Sequence, residues 1–158
     1  MADIINQHVR YVRQPGTAPF GNVYALAFPI FTDPTGVWID GDSPDPAKSG
    51  DVLKLGCIPA GFRPIEAYVS VNKPIAGLAG KIGFEYRDGE DDPDVPQTDN
   101  AWFTSASFSA KGITRRTGTE PASPYLPKES YLILTASGAP SGEGEAWIYL
   151  VGIDEGQP

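Results

Sequence analysis

The feature that most constrains this chain is a two-residue hydrophobic rhythm, interrupted about every 8 to 20 residues by glycine and proline. Pro64–Lys73 shows it most clearly. Ile65, Ala67, Val69 and Val71 fall on one side, and Glu66, Tyr68, Ser70 and Asn72 on the other. Successive side chains of a strand point to opposite faces, so this run has one core face and one wet face. Glu145–Ile153 repeats the pattern, with Ala146, Ile148 and Leu150 opposed to Trp147, Tyr149 and Val151. Further strands are expected at Asn22–Phe31, Val37–Ile39, Asp51–Ile58, Lys81–Arg87, Gly112–Thr117 and Tyr131–Thr135. Ala101–Phe108 reads equally as a short helix or a broken strand. Asn22–Phe31 is apolar on both faces, which implies burial on both sides or contact with another subunit.

The 18 glycines and 16 prolines sit largely between these runs. Asp33-Pro-Thr-Gly36 and Pro59-Ala-Gly61 are turn chemistry, because proline presets φ and glycine accepts a positive one. No amphipathic helical pattern exceeds two turns, β and α patterns do not alternate, and no period repeats. The chain is therefore read as all-β, a jelly-roll-like antiparallel β-sandwich, with a small barrel as the near alternative. Residues 1–21 differ: Ile4, Ile5, Val9 and Tyr11 stand among polar neighbours, and Gln14-Pro-Gly-Thr-Ala-Pro19 breaks regular structure. They are read as an extended N-terminal arm, with a short strand followed by an extended crossing as the alternative, and 22–158 as a single β-sandwich domain.

Charge and rare residues exclude several functions. A net charge of −8 opposes binding to nucleic acid or an anionic membrane, which both demand basic residues. No apolar stretch approaches the roughly 18 residues of a membrane span, and Met1–Val12 lacks the apolar centre of a secretory signal. Cys57 is the lone cysteine and His8 the lone histidine. They allow no internal disulfide and, by themselves, no zinc site. No nucleophile-elbow, dinucleotide-binding or P-loop pattern occurs. The expectation is a protein that is not an enzyme, with no cofactor and no metal.

Weaker candidates remain for each other kind of chemistry. Asp88, Glu90, Asp91, Asp92, Asp94 and Asp99 form an acidic loop, read first as solvated, then as partner-facing, and last as a calcium loop. Glu66, Glu85 and Glu145 are the carboxylates in or beside strands that a glycosidase pair would use. Trp38, Trp102 and Trp147 would serve a carbohydrate-stacking platform if they shared an exposed face.

Two segments carry a resemblance. Leu53-Lys-Leu-Gly-Cys-Ile-Pro-Ala-Gly-Phe-Arg-Pro-Ile-Glu-Ala-Tyr-Val-Ser-Val71 is one. The other pairs Tyr125-Leu-Pro-Lys-Glu-Ser-Tyr-Leu-Ile-Leu-Thr-Ala136 with Gly144-Glu-Ala-Trp-Ile-Tyr-Leu-Val151. Together they resemble the capsid decoration, or cement, proteins of tailed bacteriophages, over about residues 50–153 and weakly at 88–120. The motifs are structural rather than catalytic. The resemblance implies a sandwich on the outer surface of an icosahedral shell, bound to the major capsid protein and stabilising its joints. It implies synthesis in the host cytoplasm and a homo-oligomer, a homotrimer favoured over a dimer. Interface residues are expected in the arm: Ile4, Ile5, Arg10, Tyr11 and Arg13. The rival reading is a carbohydrate-binding or host-attachment module on the same sandwich.

Overall fold

The computed structural model describes residues 1–5, 23–116 and 125–154. Nine strands occur among them: β1 (Asp3–Ile5), β2 (Val23–Thr32), β3 (Val52–Ile58), β4 (Phe62–Lys73), β5 (Ala79–Tyr86), β6 (Thr98–Ser107), β7 (Gly112–Arg115), β8 (Ser130–Ala136) and β9 (Gly144–Asp154). None of the described residues is helical. One sheet has the order β2-β9-β4-β7 and the other β1-β3-β8-β5-β6. From β2 to β5 the chain changes sheet at every step, and β7, β8 and β9 do the same. This winding places two four-stranded sheets face to face with β1 added at one edge, which is a jelly roll. The pairings are antiparallel apart from that of β1 with β3, which is parallel.

Alternation explains how the sheets meet. Leu26, Phe28 and Ile30 of β2, Ala67 and Val69 of β4, and Ala146, Ile148 and Leu150 of β9 are buried in one core. They face Leu53, Ile82, Phe84, Leu132 and Leu134 of the other sheet in that core. Each of the valine, leucine, isoleucine and phenylalanine side chains contributes about 1.5–3 kcal/mol relative to exposure, and the alanines less. At Gly56 the two sheets come close, since a Cβ there would lie 2.9 Å from the Phe28 ring.

Several expectations need correction. Ile65 was expected in the core beside Ala67, but it is 55% exposed. The β4–β9 register shifts between Pro64 and Glu66, so Ile65 is the extra residue of a bulge and turns outward. Ala101–Phe108, left open between a short helix and a broken strand, proves to be strand as far as Ser107, within β6. Its register against β5 also shifts, which lets the neighbours Ala101, Trp102 and Phe103 all be buried. Val37–Ile39 makes only a single bridge, Thr32 to Trp38, rather than a strand. β2 buries one face; its other face, with Ala27, Pro29 and Phe31, is only partly covered.

Within the stretch read as an arm, Asp3–Ile5 is a strand of the sandwich. The Asp51 carboxylate accepts from the Ala2 and Lys48 N–H groups at 2.9 and 2.8 Å. Ile5 exchanges bonds with Asp42, its N–H reaching the carboxylate at 3.0 Å and its carbonyl accepting from the Asp42 N–H at 3.1 Å. The expectation of an arm over the rest of 1–21 lies outside the described residues.

Candidate functional site

The two outer faces of the sandwich differ in chemistry. On the β1-β3-β8-β5-β6 face, charges neutralise one another. Lys54 lies 3.2 Å from both Asp3 and Glu85, and Lys81 lies 3.0 Å from Asp99. Carboxylate contacts raise the Lys54 pKa even though burial, the largest influence, acts to lower it.

The β2-β9-β4-β7 face carries an aromatic ridge instead. Trp147, Tyr149 and Val151 emerge there because Ala146, Ile148 and Leu150 point inward. Register brings in the rest: Tyr149 stands between Ala27 and Tyr68, and Trp147 between Pro29 and Ser70. Tyr68 in turn is opposite Arg115, and Ser70 opposite Ile113. Phe31 meets Trp147 edge-on at 5.6 Å. Trp147 and Tyr149 lie 24° from coplanar at 6.2 Å, and Tyr149 and Tyr68 lie 17° apart at 4.8 Å. The Arg115 guanidinium closes the row 5.6 Å from the Tyr68 ring centre, and it pairs with Glu66. Glu145 accepts from Asn72 at 2.8 Å and from the Trp147 indole N–H at 3.2 Å. These contacts hold its carboxyl below the usual glutamate range. Val23, Ile65 and Ile113, at 59%, 55% and 64% exposed, extend the same face.

This geometry bears on the glycan reading. Sugar stacking uses open ring faces, but here each tyrosine face lies against another ring or a guanidinium. Trp38 and Trp102 are buried in the core, so only one of the three tryptophans reaches the surface ridge. The glycosidase pair is also separated. Glu66 lies on one outer face and Glu85 on the other, with the whole sandwich between them, so they cannot flank one bond.

The residues proposed for an arm interface are distributed differently. Ile4 is 3% exposed and belongs to the chain's own core. Ile5 is 39% exposed beside it. Arg10, Tyr11 and Arg13 lie outside the described residues. The acidic loop is organised by its own carboxylates. Asp91 accepts from the Asp92 and Gln97 N–H groups, and Asp92 from those of Asp94 and Val95. Lys128 lies 3.1 Å from Asp88, whose pKa is lowered chiefly by the Glu90 N–H bond and then by Lys128. Among the described residues, no His, Cys, Asp or Glu group is placed to hold a metal ion. Cys57 is buried, and desolvation raises its thiol pKa.

The arrangement is that of a jelly-roll sandwich with one ion-paired outer face and one aromatic outer face. No family model and no curated protein matches the sequence. Solved structures do match in fold. One is a chain from the capsid of Ralstonia phage GP4, with 20% identity and a TM-score of 0.65 over 99% of this chain and 100% of that one. Another is a chain from the cyanophage Pam1 capsid asymmetric unit, with 10% identity and a TM-score of 0.53 over 94% of each.

Proposed function

We propose that this chain is a structural protein of a bacteriophage capsid, acting as a decoration or cement protein on the outside of the shell. The observation that carries the reading is the end-to-end likeness in fold to a chain of the GP4 capsid. The sequence resemblance to cement proteins points the same way through different information, the strand-turn-strand motif around Pro59-Ala-Gly61. In this reading the partners are the major capsid protein and further copies of the chain, as a homotrimer or a dimer. The protein acts without catalysis and without contact to DNA; its charge of −8 suits the outside of a shell rather than the packaged genome. A rigid sandwich held by a large buried core suits a part that must resist deformation.

Co-sedimentation with genome-filled and empty phage heads tests this. Binding to assembled heads, with none to unassembled capsid subunits, is the result expected of a decoration protein. Incorporation into the shell lattice itself would replace it with a shell-forming role.

The aromatic ridge favours the glycan-binding reading only in part, since stacking among its rings leaves few ring faces open. Quenching of Trp147 fluorescence by glycans would revive it.

A further inference from the structure

We propose that β1 is an acid-releasable strap. At neutral pH it covers the edge of β3, and in acid it leaves that edge while the rest of the sandwich stays folded. The device belongs to this chain alone and holds whether or not the proposed function does.

β1 is fastened differently from the long strands. It is three residues long and pairs in parallel with β3, from Asp3 opposite Val52 to Ile5 opposite Lys54. β2, by contrast, is paired with β9 over its ten residues. β1 buries one side chain, Ile4, which stands with Trp38 around Gly41. The rest of its hold comes from carboxylates. Asp51 accepts from the Ala2 N–H at 2.9 Å just before the strand. Asp42 accepts from the Ile5 N–H at 3.0 Å at its far end. Between them, the Asp3 carboxylate lies 3.2 Å from the Lys54 ammonium. Hydrogen bonds to an ionised acceptor are roughly twice as strong as neutral ones, so protonation weakens all three contacts together.

The surrounding charges add to the effect. The Met1 amino group and Lys48 lie beside Asp51, Lys54 reaches in from β3, and Glu85 from β5. At neutral pH these three cations meet four carboxylates, Asp3, Asp42, Asp51 and Glu85. Once the carboxylates are protonated, only the mutually repelling cations remain. Lys54 is not stranded when Asp3 departs, because Glu85 stays 3.2 Å away. The hold is complete above the ordinary aspartate value of about 3.9 and is lost as pH falls below it. Asp51, lowered first by the Ala2 bond and then by the Lys48 bond, keeps its charge to a lower pH than an ordinary aspartate. The sheets themselves are joined by Leu26, Phe28, Leu132 and Leu134, which do not titrate. A segment with one buried apolar side chain opens before such a core does. Its departure frees the Val52 N–H, which donates to the Ala2 carbonyl at 3.0 Å, and an unpaired strand edge is a template for pairing with another strand.

Residue-resolved amide hydrogen exchange of the full chain, corrected for the intrinsic effect of pH, tests this between about pH 6 and about pH 2.5. Val52 reports the strap. Ala136, whose N–H donates to the Asp51 carbonyl at 2.8 Å, reports the other side of the same stretch, and Ile148 of β9 reports the core. In acid, protection of Val52 should fall at least about tenfold further than that of Ala136 and Ile148. Val52 protection independent of pH, or a common fall at all three amides, would overturn the proposal. The double variant Asp42→Asn, Asp51→Asn should protect Val52 less at pH 6 and show a shallower acid limb. A limb as steep as that of wild type would remove these carboxylates from the strap. If the variant fails to fold, the comparison of Val52 with Ala136 in wild type decides alone.

Discussion

Tyr149 of β9 and Tyr68 of β4 are direct partners across the ladder, and their rings stack with centroids 4.8 Å apart. The pair joins strands whose sequence positions are far apart and anchors the centre of the aromatic face. Both side chains are half-buried, so their mutual contact is a sizeable part of what holds them. A double-mutant cycle with Tyr68→Ala and Tyr149→Ala should give a coupling energy of about 0.5–1.5 kcal/mol. Urea unfolding of the four proteins measures it, and additive effects would mean the stack contributes nothing of its own.

Gly56 is required by the sheet on the other side of the core. Its missing Cβ would sit 2.9 Å from the fully buried Phe28 ring, which has little room to move. Gly56→Ala should cost about 1–3 kcal/mol through overpacking. A partial recovery in the pair Gly56→Ala with Phe28→Leu, read from denaturant midpoints, would locate the strain in that contact.

Acid should loosen the N-terminal strand. The bond from the Ala2 N–H, then that from Lys48, holds the Asp51 carboxyl below its ordinary pKa. In the unfolded chain it titrates near 3.9, so around and below that pH the unfolded state binds more protons. The stabilisation is complete above the unfolded pKa and is lost as pH falls through the lower folded value. Wild type should therefore lose stability more steeply than Asp51→Asn below about pH 4. Identical slopes by thermal unfolding would remove Asp51 from the account.

Base should act through a tyrosine. Desolvation, and then the negative charges of Asp92, Asp91 and Asp88, push the Tyr86 hydroxyl from 10.0 up to about 12. Its O–H donates to the Val95 carbonyl at 2.6 Å, tying the acidic loop to the core. Between pH 10 and about 12 the unfolded chain releases this proton and the folded chain keeps it, so stability falls as pH rises. Tyr86→Phe should flatten that limb, and an unchanged limb would assign it to another group.

Much of the fold was legible because side-chain alternation needs no knowledge of partners. The inward sets Ala67, Val69, Val71 and Ala146, Ile148, Leu150 follow directly from the pattern. What failed depended on pairing. Ile65 looks like a core residue until the bulge opposite β9 shifts its phase, and Trp102 beside Phe103 looks irregular until β6 is matched to β5. Ile4 reads as an interface residue of an arm because nothing local shows that Asp51 and Asp42 fix the chain on either side of it. Of the aromatic face, Trp147, Tyr149 and Val151 were visible as one side of a strand. That Tyr68, Phe31 and Ile113 join them required the register of three separate ladders.

The most direct test of the central claim is co-sedimentation of the purified protein with phage heads of the same virus, filled and empty, against a matched sample of unassembled capsid subunits. A decoration protein should bind heads saturably, make those heads more resistant to heat or chelation, and not bind free subunits. Absence from the head fraction at any protein concentration would contradict the claim.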